Sequence, residues 1–292
     1  MAKQESRELV DQTAEEEGTL VSASAVPDFM PKDDIRGTES LDAGDMEIPR
    51  VYLLQALNPE TQQGHRVGQW FHNILEAELG NEIRIIPILA RRRFVLWRPR
   101  HSGGGILARA EDGVHWVPPN GSFKVKPVKG DDSYEVTWQT QPTVAASKLA
   151  DWGTSAPRDP NSPPAATKNI QVIACCPDRL DLGPFALIFQ RKALGPAQKL
   201  MQKIRLANVP SFGQIFKMGG RYIDEGPEEK YWQPVFAADG FVPTQEIYQE
   251  MEAWYENFSK LESISVRDEE GADISGSPEP GAGDRVPDSD EY

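Results

Sequence analysis

Seven arginines fall between residues 83 and 110, and no aspartate or glutamate interrupts them: Arg84, Arg91, Arg92, Arg93, Arg98, Arg100 and Arg109. A second window, 182–223, holds Arg191, Lys192, Lys199, Lys203, Arg205, Lys217 and Arg221, again without an acid. The chain as a whole carries 45 acids in 292 residues, so two such gaps are not expected by chance. Clustered cations follow phosphates, and rings set among them stack on bases. Single-stranded nucleic acid asks for both. The string RRRFVLWRPR supplies both. Read as a strand, it places Arg91, Arg93, Val95 and Trp97 on one face and Arg92, Phe94, Leu96 and Arg98 on the other. The candidate phosphate contacts are Arg91, Arg92, Arg93, Arg98, Arg100, Lys192, Lys199, Lys203 and Lys217. Trp97 and Phe94 are the candidate stacking rings. The competing reading is a solvated edge strand protected by its charges.

Three stretches of different character must position these residues. Residues 1–48 carry net charge −9, residues 49–260 carry +3, and residues 261–292 carry −8. The whole-chain charge of −14 therefore hides a mildly basic middle. The expected organisation is a disordered acidic arm over 1–48, a core over 49–263 and a disordered acidic tail over 264–292. The tail closes on DSDEY. Asp288, Asp290, Glu291 and Tyr292 combine negative charge with a flat ring. They would dock on a partner or compete for the chain's own basic surface.

Within the core, β-branched runs dominate. Strands are expected over 51–55, 69–76, 82–98 (interrupted at Pro87, as two strand halves or one strand with a bulge), 122–126, 134–140, 169–176, 185–191, 213–218 and 230–236. Gly103, Gly104 and Gly105 mark a loop. Two helices complete the set. Over 194–208, the residues Leu194, Ala197, Leu200, Met201 and Ile204 share one face. The second begins at the cap Thr244 and turns Ile247, Met251, Trp254 and Phe258 inward. Short strands with an internal helix predict a mainly β fold with two helices, built as a small OB-like barrel.

Catalytic patterns are weak. His65, His72, His101 and His115 lie far apart, without metal-ligand spacing. Neither a phosphate-binding Gly-rich loop nor a nucleophile elbow is present. Asp131, Asp132 and Glu135 follow a Lys-Gly turn and read as solvated rather than as a metal-dependent nuclease cluster. Adjacent Cys175 and Cys176 cannot easily bridge each other, and read as strand thiols in a reducing cytoplasm. The N-terminus lacks the apolar stretch of a secretory leader. No run approaches the about 18 apolar residues of a membrane span. Seven tryptophans are present. Trp254 reads as core, and Trp116 and Trp152 as rings covering the end of a barrel.

The strings IPRVYLLQALNPETQQG, GQWFHNI, IIPILARRRFVLW and GGGILARAEDGVHW carry a resemblance over about residues 48–260. The chain resembles phage and prophage single-stranded-DNA-binding proteins, which pair an OB-fold core with an acidic C-terminal tail. The long acidic N-terminal arm departs from that pattern. The resemblance implies sequence-tolerant coating of single-stranded DNA during replication and recombination. It implies recruitment of phage or host replication proteins through the tail, in the bacterial host cytoplasm. The residues themselves call for no enzymatic activity, no cofactor and no metal, since such binding is electrostatic and stacking in character. The rival functions are a strand-annealing recombination protein, a virion or assembly protein, and a metal-dependent DNA-processing enzyme.

Overall fold

The structure is a computed structural model that describes residues 48–98, 104–125, 134–138, 142–155, 159–226 and 230–261. The acidic tail expected over 264–292, and all of the arm expected over 1–48 except Ile48, lie outside these residues. Strands run at Val51–Leu53 (β1), Trp70–His72 (β2), Ala77–Gly80 (β3), Glu82–Trp97 (β4), Ile106–Ala110 (β5), Ser122–Val125 (β6), Tyr134–Thr137 (β7), Ala166–Cys175 (β8), Phe185–Gln190 (β9), Gln214–Asp224 (β10) and Lys230–Phe241 (β11). The helices are Pro59–Gln62 (α1), Val144–Ser147 (α2), Leu194–Leu206 (α3) and Gln245–Lys260 (α4).

β4 organises the main sheet, whose order is β11-β10-β4-β8-β9, with β5 also paired to β4. Pro87 does not split β4 into two strands; of the two expected outcomes, one strand with a bulge is the one present. The ladder to β10 ends at Ile85 and the ladder to β5 starts at Phe94, so the chain around Pro87 pairs only with β8. A proline is tolerated where one ladder is missing. A register shift between Pro87 and Leu89 absorbs the irregularity as a bulge.

The inner half of the sheet is apolar on both faces. On one face, Ile83, Ile85, Val172, Ala174, Leu187, Phe216 and Met218 pack with Ala197, Leu200 and Ile204 of α3. On the other, Ile86, Ile88, Ile173, Cys175 and Ile215 pack with Met251 and Phe258 of α4. Both long helices therefore stand close to where periodicity places them. The Thr244 hydroxyl accepts from the Ile247 amide at 3.3 Å and caps α4. A third cluster gathers Phe94, Leu96, Ala108, Trp116, Phe123, Val136 and Trp138 around the far end of β4.

The fold is mainly β, as the strand pattern predicts, but the sheet does not close into a barrel. Among the described residues no ladder joins β9 to β11. β9 leaves the sheet after Gln190, and α3 packs against β8, β9 and β11. Side chains fill the gap instead: the rings of Phe189 and Phe236 meet edge to face at 5.5 Å. Gln55 ties the loop after β1 to β11 by donating to the Trp232 carbonyl and accepting from the Trp232 amide. Gly68 lies so close that an added Cβ would fall 2.7 Å from the Trp232 ring.

Three further departures are local. The apolar stretch 69–76 gives only the short β2, followed by a turn and the unforeseen β3. β5 is the second unforeseen strand, where the sequence offers only a glycine loop and an alternating ILARA. α1 and α2 are single turns, too short for periodicity to reveal. No described helix is long and apolar enough to cross a membrane.

Candidate nucleic-acid interface

The alternation expected for β4 is present, but its setting is not. Cross-strand register puts Arg91 opposite Gln171 and Arg93 opposite Asn169, while Arg92 and Phe94 stand opposite Ile170 and Lys168. β4 is an interior strand, paired with β8 on one side and with β10 and then β5 on the other. The side chains that face inward from it are therefore closed to a phosphate. Arg93 is 2% exposed, and its guanidinium lies 3.3 Å from the Glu111 carboxylate. Phe94 is buried in the third cluster. Arg93 and Phe94 thus leave the set of contact residues, because neither can reach a strand of DNA from inside the packing.

Arg91 serves the fold. Its Nη2 donates to the carbonyls of Phe258 at 2.8 Å and Ser259 at 3.4 Å, in the last turn of α4. A cation there complements the helix dipole. Burial pushes its pKa down, and the nearby Glu111 carboxylate opposes that shift. Arg92 is exposed, with its guanidinium 5.8 Å from the centre of the Phe94 ring. The turn at Gly113 presses on it: an added Cβ would sit 2.6 Å from the Arg92 carbonyl, and the residue has φ +72°. Only glycine suits that position. Trp97 is half-buried and Arg98 is exposed. Arg100 lies outside the described residues, as do Asp288, Asp290, Glu291 and Tyr292.

The second window has the opposite character. α3 reads LGPAQKLMQKIRL, without an acid, and Lys199, Lys203 and Arg205 are exposed on it. Lys203 Nζ donates to the Phe236 carbonyl at 2.6 Å, tying the helix to β11. Lys192, just before α3, stands 5.3 Å over the Tyr231 ring and 3.8 Å from Glu225. Lys217 does not join this group. Phe216 and Met218 face the cluster that holds α3, so Lys217 between them points to the other face. There it meets Asp239 at 3.7 Å and Glu82 at 4.0 Å.

The structure adds residues that spacing alone does not single out as contacts. Tyr222 on β10 is 49% exposed, with its ring 5.6 Å from that of Trp232 on β11. Arg221 beside it reaches Gln233 Oε1 at 3.2 Å, and the Gln233 amide donates to the Lys192 carbonyl at 3.0 Å. Hydrogen bonds thus link the start of α3 to the β10–β11 hairpin, where Tyr222 and Tyr231 offer rings near cations. The aromatics that flank the Gly-Pro turn in YIDEGPEEKYW over 222–232 are the signal that could have shown it. Of the two loop tryptophans, Trp116 is core, whereas Trp152 is 71% exposed.

Among the described residues no group of three or more His, Cys, Asp or Glu is placed to hold a metal ion. Neither the curated proteins nor the solved structures contain a match to the chain. A family model described as Pam3 phage gp34-like protein matches residues 15–263, which span every described element. The chain therefore belongs to the Pam3 phage gp34-like protein family, a family of phage proteins.

Proposed function

We propose that this phage protein binds single-stranded DNA with little sequence preference, through α3 and the β10–β11 hairpin, and acts in replication or recombination in the host cytoplasm. The observation that carries the reading is the acid-free, exposed side of α3, with Lys199, Lys203 and Arg205 next to a hairpin that presents Tyr222. Cations at helical spacing follow a phosphate backbone, and exposed rings give bases a platform that does not depend on sequence. Binding of this kind is electrostatic and stacking in character. It needs no cofactor and breaks no bond, so the proposed role is not enzymatic.

Fluorescence anisotropy with single-stranded DNA, duplex DNA and RNA across a salt series tests the proposal. With about five phosphates neutralised, log K should fall against log salt with a slope near about −3.5. Single strands should outcompete duplex. A flat salt profile or a duplex preference would overturn the reading, and large particles without DNA affinity would point to an assembly role.

A further inference from the structure

The α3 face of the sheet continues past its apolar core. Ile170 and Val172 pack there with Ala197 and Leu200 of α3, and alternation sets Lys168 on the same face. Arg92 stands opposite Ile170, and Phe94 opposite Lys168. The two cations are therefore diagonal neighbours across β4 and β8, on the side opposite the engaged Arg91 and Arg93. On the other edge of β8, Phe189 stands opposite Ile170 and Gln190 opposite Asn169, so the exposed Arg191 that follows continues the register toward Lys168. Lys192, over the Tyr231 ring, comes next. An arc of cations thus leads from the start of α3 to Arg92.

Arg92 is held in place without a counter-charge. Its guanidinium lies 5.8 Å from the centre of the Phe94 ring, and an added Cβ at Gly113 would fall 3.1 Å from its Nε. Ring and turn thus fix an exposed cation from two sides. The neighbouring Asp112 carboxylate is occupied by the amides of Val114 and His115 and by the His115 ring. Among the described residues no carboxylate lies within ion-pair distance of Arg92 or of the half-buried Lys168, whereas Arg93 on the reverse face has Glu111. Preorganised cations of this kind suit an anion from outside, and phosphates spaced along a strand can meet them in turn. We propose that a single DNA strand bound at α3 continues over Lys192 onto this end of the sheet, where Lys168 and Arg92 take its phosphates. Adjacent strands lie about 4.8 Å apart, so the path from β9 to β4 adds about 10 Å of contact. This extension presupposes that α3 holds DNA, and it lengthens that site rather than replacing it.

Oligonucleotide length separates the two contacts in the full-length chain. Strands of about 6 nucleotides should occupy α3 alone, and strands of about 16 should reach Arg92. Arg92→Ala with Lys168→Ala should weaken binding of the longer strand several-fold. Its slope of log K against log salt should become shallower by about 1.4, at about 0.7 per phosphate contact. Affinity for the shorter strand should stay as in the wild type. Arg92→Lys with Lys168→Arg keeps both charges and should restore the slope. Lys260→Ala, an exposed cation of α4, should leave both lengths unaffected. Wild-type affinity of the alanine variant for the longer strand would overturn the extension and leave α3 standing. Equal losses at both lengths would overturn it too, since Arg92 and Lys168 would then make no separate contact. A wild-type chain that binds neither length would overturn the reading of α3 itself, and the extension with it.

Discussion

Residues 83–110 and 182–223 each carry seven cations and no acid, yet β4 runs through the middle of the sheet while α3 lies against its rim. In the first window three arginines are held by the fold, while Arg92 and Arg98 are exposed. Arg93 pairs with Glu111, Arg91 holds the end of α4, and Arg84 sits between Asp178 and Asp239. In the second, Lys199, Lys203 and Arg205 project from a helix whose other side is apolar. A central strand surrenders both faces and both edges to packing, whereas a surface helix surrenders one stripe. Equal local charge therefore has unequal availability, and a cation count identifies a binding surface only once burial is known.

The largest expected effect lies in the buried window. Arg93→Ala removes one partner of a buried ion pair and should lower unfolding stability by about 3–5 kcal/mol in a denaturant titration. Phe94→Ala should cost a similar amount through the cavity it leaves. If either variant keeps wild-type stability and loses DNA affinity, the contrast between the windows is wrong.

Tyr222→Ala probes the exposed side. Stacking predicts a loss of about 1–3 kcal/mol in single-strand affinity, with the melting temperature nearly unchanged. A stability loss without an affinity loss would make the ring a partner of Trp232 and nothing more. Lys199→Ala with Arg205→Ala, two exposed cations of α3, is subtler. The slope of log K against log salt should become shallower by about 1.4, from about 0.7 per phosphate contact. The parallel Arg91→Ala variant should leave the slope alone, because that guanidinium is engaged with α4.

The smallest effect is a pH response of the inner sheet. Burial first, then the nearby Glu250 and Cys176, push the Cys175 thiol up from 9.0 to about 12. A raised acid pKa favours the neutral folded form, so this contribution to stability is complete below pH 9 and is lost as pH rises toward 12. At pH 8 the thiols should resist alkylation in the native protein and react on unfolding. Rapid native-state alkylation at that pH would show that β8 opens locally.

Much of this architecture is legible residue by residue. The Thr244 cap, the inward faces of α3 and α4, and most strand positions follow from neighbours within a few residues. β3 and β5 escape such reading because short strands next to glycine carry too little pattern. Closure of the barrel also escapes it, since whether β9 meets β11 depends on α3 occupying the space between them. Within the candidate interface, the acid-free windows are plain in the chain, but the roles of their members are not. Tyr222 and Arg221 gain their setting from Trp232 and Gln233 across the hairpin.

Charge segregation, helix faces and the mainly β character are therefore properties of the amino-acid sequence alone, because they rest on composition and on periods of two or 3.6 residues. Which cations remain available is a property of the tertiary structure alone. Arg91 is engaged by carbonyls 167 and 168 residues away, and Arg93 by a carboxylate on the far side of the β4–β5 hairpin. No local pattern encodes such partners, since burial is set by whatever the finished fold brings to each face.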